Sequence, residues 1–138
     1  MFTFRLRRRV QFYETDLAGV VHFSWYLRFM EEAEHAMWRA AGLSIAPRDS
    51  DMGFPRVSAS VNFHAPLFFE DEFEVQIRVE TISKRSLKYA CEILRGPTRV
   101  ASGTMVAVCV RHEADRMQTI DIPDDIVARL SRDAAGSQ

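Results

Sequence analysis

The sequence predicts an α+β fold, an antiparallel sheet of about five strands packed against one long helix. Two patterns carry this expectation. Between Tyr26 and Ala41, the apolar residues Tyr26, Phe29, Met30, Ala33, Ala36, Met37, Ala40 and Ala41 recur at steps of three and four, the stripe of a helix with one buried face. From Arg56 onward the period changes to two, as in half-buried strands. A sheet served by one helix keeps its other face and edges open, so self-association is the economical way to cover them.

Phe2 to Phe12 form the first strand, with Phe2, Phe4, Leu6, Val10 and Phe12 on one side and Thr3, Arg5, Arg7, Arg9 and Gln11 on the other. Arg8 interrupts the apolar side, and the cluster Arg5, Arg7, Arg8 and Arg9 reads as a solvated strand face. Ser24 is placed to cap the helix, and Gly42 stands where a left-handed C-terminal residue belongs. Ser44 to Phe54 is a loop whose Met52 and Phe54 suit it to covering part of a pocket. Val57, Ala59, Val61 and Phe63 then make an apolar face against Ser58, Ser60, Asn62 and His64, and Pro66 ends that strand.

Phe73 to Glu80 and Leu87 to Leu94 alternate in the same way, joined by the polar break Ser83-Lys84-Arg85-Ser86. After a turn at Arg95-Gly96-Pro97-Thr98, Val100 to Val110 carries apolar or small residues on both faces, which predicts a central strand covered on both sides. His112 to Arg116 reads as a polar turn. Pro123 opens a short terminal helix with Ile126, Val127 and Leu130 as its apolar face, and Ala134 to Gln138 reads as a frayed end.

All 138 residues are expected to form one domain, 1–138. A net charge of −1, with 47 % hydrophobic and 27 % charged residues, is ordinary globular composition and does not point to nucleic acid. Met1 to Arg5 lacks the apolar run of a secretory signal, no stretch approaches a membrane span, and Cys91 and Cys109 suit reduced core thiols. The cytoplasm is the expected setting.

The chemistry concentrates before the helix. Asp16 and Gly19 lie in a turn-like segment that delivers a carboxylate near the helix N-terminus, where backbone N–H groups lack partners. An acid beside free donors is what acyl transfer requires, one to attack or activate water and the others to hold the oxyanion. Spacing alone serves equally for a carboxylate that caps its own turn. Glu32-x-x-His35 has the spacing of carboxylate di-metal bundles, but those draw ligands from several helices, so no metal is expected.

Thr15-Asp16, Ala18-Gly19-Val20-Val21, Tyr26 and Glu31 together resemble the opening signature of the hotdog-fold acyl-CoA thioesterases of the 4-hydroxybenzoyl-CoA thioesterase family. Asn62-Phe63-His64-Ala65-Pro66-Leu67 with Asp71 resembles that family's turn between long strands, and Thr81 to Leu87 resembles its basic-plus-serine hairpin. The resemblance implies a hotdog fold, a sheet wrapped around one central helix. It implies homodimers with active sites between subunits, and a dimer-of-dimers tetramer.

By the same resemblance, Asp16 is the catalytic nucleophile or general base, and the backbone N–H of Phe23 polarises the thioester oxygen. Tyr13, Gly19, Val21 and Tyr26 shape the pocket, Glu31 holds the loop or the dimer mate, and His64 lines the pocket. Lys84, Arg85 and Ser86 meet the CoA phosphates. His22 and Phe23 invert the order common among relatives, so His22 either donates to the reacting carbonyl or packs as an aromatic. The implied reaction converts acyl-CoA and water to carboxylate and CoA, with no cofactor beyond the CoA of the substrate.

The apolar run near the loop suits an aromatic or medium-length acyl group, and Asp-Leu-Ala-Gly-Val-Val also resembles the dihydroxynaphthoyl-CoA thioesterases. Two alternatives differ in class. One is a non-catalytic module that binds acyl-CoA or acyl-carrier protein and has no need of Asp16. The other is an enoyl-CoA hydratase pairing Asp16 with His22.

Overall fold

A computed structural model describes residues 2–132. The chain runs β1 (Thr3–Arg9), a 3-10 turn (Phe12–Glu14), α1 (Trp25–Ala40), β2 (Met52–Gly53), β3 (Arg56–Phe63), β4 (Glu72–Ile82), β5 (Ser86–Arg95), β6 (Thr98–Val108), β7 (Val110–Glu113), β8 (Arg116–Thr119) and α2 (Asp124–Leu130). Five strands form an antiparallel sheet in the order β1-β4-β5-β6-β3, and β2-β7-β8 form a smaller one. The expected fray at Ala134–Gln138 lies outside the described residues.

Helix α1 lays its stripe on the sheet. Phe29, Met30, Ala33, Met37 and Trp38 are buried against Val75, Ile77 and Val79 of β4 and Leu87, Tyr89 and Cys91 of β5. Burying each large apolar side chain contributes about 1.5–3 kcal/mol, so this one contact surface dominates the stability. Inside it, Trp38 Nε1–H donates to the Tyr89 hydroxyl at 3.0 Å. The helix ends as expected: Gly42 takes φ +80°, its N–H reaches the Arg39 carbonyl, and Leu43 N–H reaches that of Trp38. Ser24 occupies the N-cap position but makes no side-chain capping bond, because its hydroxyl is engaged by His22.

Four expectations change. Phe12 leaves the first strand for the 3-10 turn and is exposed, since β1 ends at Arg9 where its pairing with Glu72 stops. β3 is an edge strand, and its apolar face stays open, with Val57 60 % and Phe63 53 % exposed. β6 is interior but not covered on both sides: Met105 and Ala107 are buried under α1, whereas Ser102, Thr104 and Val106 line a half-open outer face. The polar stretch 112–116 does turn, at 114–115, but His112, Glu113 and Arg116 are already paired in the β7–β8 hairpin, which alternation missed because it is exposed on both faces.

Candidate active site

The segment between β1 and α1 folds back on itself as a small hairpin. Thr15 and Val21 bridge antiparallel, Asp16 N–H donates to the Val20 carbonyl at 2.8 Å, and Gly19 closes the turn at φ +82° with its N–H on the Asp16 carbonyl. That φ is open to glycine and costly for residues with a Cβ. The hairpin docks on the β3–β4 connection, where Val21 N–H meets the Leu67 carbonyl at 2.8 Å and Val20 bridges Phe68. That connection is braced in turn, with Asp71 accepting the Phe68 N–H at 2.9 Å and Arg95 donating to the Pro66 carbonyl.

Asp16 is exposed at the hairpin tip. Its Oδ1 accepts the Ala18 N–H at 2.8 Å and lies 3.4 Å from the Val20 nitrogen. The carboxylate therefore does cap its own turn, and that leaves Oδ2 open for other contacts. Seven residues on, the chain enters α1. His22 N–H donates to the Glu14 carbonyl and Trp25 N–H to the His22 carbonyl, whereas the Phe23 N–H has no partner among the described residues. A single hairpin thus presents a carboxylate oxygen and, at its exit, an unclaimed N–H at a helix start, where the helix dipole favours negative charge.

Tyr26 is buried in the first turn of α1, its ring 5.0 Å from that of Phe63. Burial holds its phenol above the ordinary range, against a smaller opposing effect of a backbone hydrogen bond at Leu67. Tyr13 stacks edge-on against Trp25 at 5.5 Å.

The family model of the Thioesterase-like superfamily matches residues 10–130, which span the hairpin, the helix and every strand of the sheet except β1. The chain belongs to this superfamily. The chain is also similar to a 1,4-dihydroxy-2-naphthoyl-CoA hydrolase of Nostoc punctiforme, 29 % identical over 141 residues, which span 99 % of this chain and 94 % of that protein. Among solved structures it is similar to a 1,4-dihydroxy-2-naphthoyl-CoA thioesterase from Synechocystis (TM-score 0.84, 25 % identity, 93 % and 95 % of the two chains). A gentisyl-coenzyme A thioesterase superposes comparably (TM-score 0.82, 26 % identity, 92 % and 99 %). The protein is a thioester hydrolase of hotdog fold.

In this thioesterase the other predicted residues fall into separate places. His22 lies beside the Phe23 ring, 4.6 Å between centroids, and its Nδ1 faces the Ser24 N–H at 3.2 Å and the Ser24 hydroxyl at 2.8 Å. A backbone N–H can only donate, so Nδ1 is the acceptor and the neutral ring carries its proton on Nε2. His64 is turned to the outer sheet face, its Nε2 3.0 Å from Ser102 Oγ, away from the helix side where α1 packs. Glu31 is exposed and 3.7 Å from Arg56, which also forks onto the fully buried Glu34, so within the chain it holds β3 rather than the Asp16 loop.

Lys84 and Arg85 both face Asp121, at 3.8 and 2.9 Å, and Ser86 opens β5. They follow the far end of β4, whose 11 residues rise about 35 Å from the Asp16 end. The basic hairpin and Asp16 of one chain are therefore not brought together. Among the described residues no cluster of three or more His, Cys, Asp or Glu is arranged to hold a metal, and no helix is long and apolar enough to cross a membrane.

Sequence reasoning passed over the buried charges. Glu14 and Glu34 are both fully buried, paired with Arg8 and Arg56. The available signals were Arg8 on an otherwise apolar strand face and Glu34 inside the apolar stripe of α1, a charge at a core position in each case.

Proposed function

We infer that the protein hydrolyses an aromatic acyl-CoA to the carboxylate and CoA, with Asp16 as nucleophile or general base and the Phe23 N–H as oxyanion donor. The observation that carries this is the unclaimed Phe23 N–H on the same hairpin as a carboxylate with one free oxygen. As the carbonyl carbon becomes tetrahedral, negative charge grows on its oxygen, and a donor fixed at a helix start stabilises it without reorganising. The thiolate leaves readily, so no strong general acid is required. The Nε2–H of His22 is a second donor at the same helix start. The three similar proteins named above act on hydroxylated aromatic acyl-CoA thioesters by name, and Tyr13, Trp25, Tyr26 and Phe23 furnish an aromatic surround.

The working unit is a homodimer, with further pairing to a tetramer through the open sheet face. β3 has one hydrogen-bonded neighbour and bares Val57 and Phe63. Two-fold pairing of β3 with its copy sets the Arg56 end of one strand beside the Phe63 end of the other. Arg56 pairs with Ala107, and Val108 with Ser86, so the basic hairpin lies toward the Arg56 end. Tyr26 against Phe63 marks the helix-start end. One chain's Lys84, Arg85 and Ser86 are then directed to the partner's Asp16, which resolves the separation of the two within a chain. The setting is cytoplasmic, in keeping with two unpaired buried thiols.

The test is thiol release from a panel of CoA thioesters: benzoyl, hydroxybenzoyl, hydroxynaphthoyl, hexanoyl and palmitoyl. Hydrolysis led by the hydroxylated aromatic members is expected. Turnover confined to long-chain acyl groups would overturn the substrate class, and binding without turnover would favour the non-catalytic module.

A further inference from the structure

Resting on that site, we propose that the buried Arg8–Glu14 pair is its positioning device, fixing the Asp16 turn relative to the Phe23 N–H and acting on turnover through them. From Gln11 to Ser24 only two side chains are buried, Val21 and Glu14. The exposed Phe12, Tyr13, Leu17 and Phe23 bury little surface in the chain, so apolar packing does not hold this segment. One of its two anchors is a charge.

That charge is held from three sides. Glu14 Oε2 accepts from Arg8 Nη2 at 2.8 Å, while Oε1 accepts from Arg8 Nη1 at 3.1 Å and from the Gln11 N–H at 2.8 Å. Arg8 in turn donates from Nε to Glu32 of α1 at 2.9 Å and stacks 4.7 Å over the Phe29 ring. One planar guanidinium therefore ties β1, the hairpin and α1 together, which a lysine with a single ammonium cannot do.

The main chain of Glu14 completes the device. Its carbonyl accepts the His22 N–H at 2.9 Å, one residue before Phe23, and the next residue, Thr15, bridges Val21 and leads into Asp16. Glu14 is thus where the strand that delivers the carboxylate is joined to the strand that delivers the oxyanion donor. A buried ion pair adds little stability over apolar residues of similar volume, so stability alone gives no reason for charge here. Its directional bonds set orientation, and a 1 Å displacement of a reacting group costs about 10²-fold in rate.

The experiment compares wild type with Arg8→Met/Glu14→Leu, which keeps the volume and removes the charges, with the near-isosteric Glu14→Gln, and with Arg8→Lys. Thiol release reads kcat and KM, and amide hydrogen exchange reads residues 15–23 independently of activity. The double variant is expected to keep a cooperative melt and a KM within about twofold of wild type, to lose about 10²-fold in kcat, and to exchange its 15–23 amides faster. Arg8→Lys, with charge but no fork, should fall between. Native exchange at 15–23 in a folded double variant, or in Glu14→Gln if the double variant does not fold, overturns the proposal. Native kcat with native exchange makes the pair a packing element only. A wild type inactive on every thioester would instead sink the functional reading, while the exchange comparison would still decide the positioning.

Discussion

Asp16 is asked to do two things, and a pair of substitutions separates them. As a turn cap, its Oδ1 accepts the Ala18 N–H at 2.8 Å on an exposed hairpin. Such a hydrogen bond has a net worth of about 0.5–1.5 kcal/mol. Even if all of it were expressed in the transition state, its loss would slow turnover by about tenfold at most. In the proposed role of nucleophile or general base, the carboxylate would account for about 10²–10⁴-fold, or ~2.7–5.5 kcal/mol. Asp16→Asn keeps an oxygen where Oδ1 stands and removes the chemistry, whereas Asp16→Ala removes both. With initial rates of thiol release on the best aromatic thioester, both variants should lose about 10²-fold or more in kcat, and thermal melts should show Asp16→Asn close to wild type. An Asp16→Asn rate within tenfold of wild type, with Asp16→Ala clearly slower, would mean that the carboxylate only shapes the turn.

Three other outcomes are expected. Lys84→Ala/Arg85→Ala should raise KM for CoA thioesters and weaken its salt dependence with kcat little changed, while Asp121→Asn, by freeing both cations, should lower KM; opposite or absent shifts in steady-state kinetics would return the hairpin to the surface. Burial, and secondarily the Glu34 charge, push the Cys91 thiol from an ordinary 9.0 up to about 12, and burial likewise raises the Tyr89 phenol. The fold favours the neutral thiol, so its contribution is whole below pH 9.0 and is lost as pH rises towards about 12. Urea midpoints should fall across that range, and less steeply in Cys91→Ala; a flat profile would contradict the assignment. Gly42→Ala would force a Cβ into a φ of +80° and within 2.5 Å of Arg129 Nη1, which donates to the Ala41 carbonyl. A loss of about 1–2 kcal/mol in denaturant unfolding is expected, with no change in KM.

The sequence by itself determined what depends on neighbours along the chain. The stripe from Tyr26 to Ala41, the left-handed Gly42, the alternation of β4 and β5 and the turn at Gly19 are local preferences that folding keeps, although the stripe gives up Ala40 to the surface and takes in Glu34 and Trp38. The turn that carries Asp16 was legible for the same reason, whereas the Phe23 N–H entered only through the family resemblance, and one short hairpin carries both. Tertiary structure alone decided which charges are buried. Arg56 and Glu34 lie 22 residues apart, and only the docking of α1 on the sheet makes one the partner of the other. Arg8 and Glu14 are near in sequence, but β1 must pack under Phe29 before the guanidinium loses its water and needs the carboxylate. Strand order is also non-local: nothing in Val57 to Phe63 marks an edge, and nothing in Lys84 to Ser86 says that it stands at the opposite end of β4 from its own Asp16. Period-two alternation tells which face of a strand is apolar, whereas coverage of that face depends on how far α1 extends across the sheet.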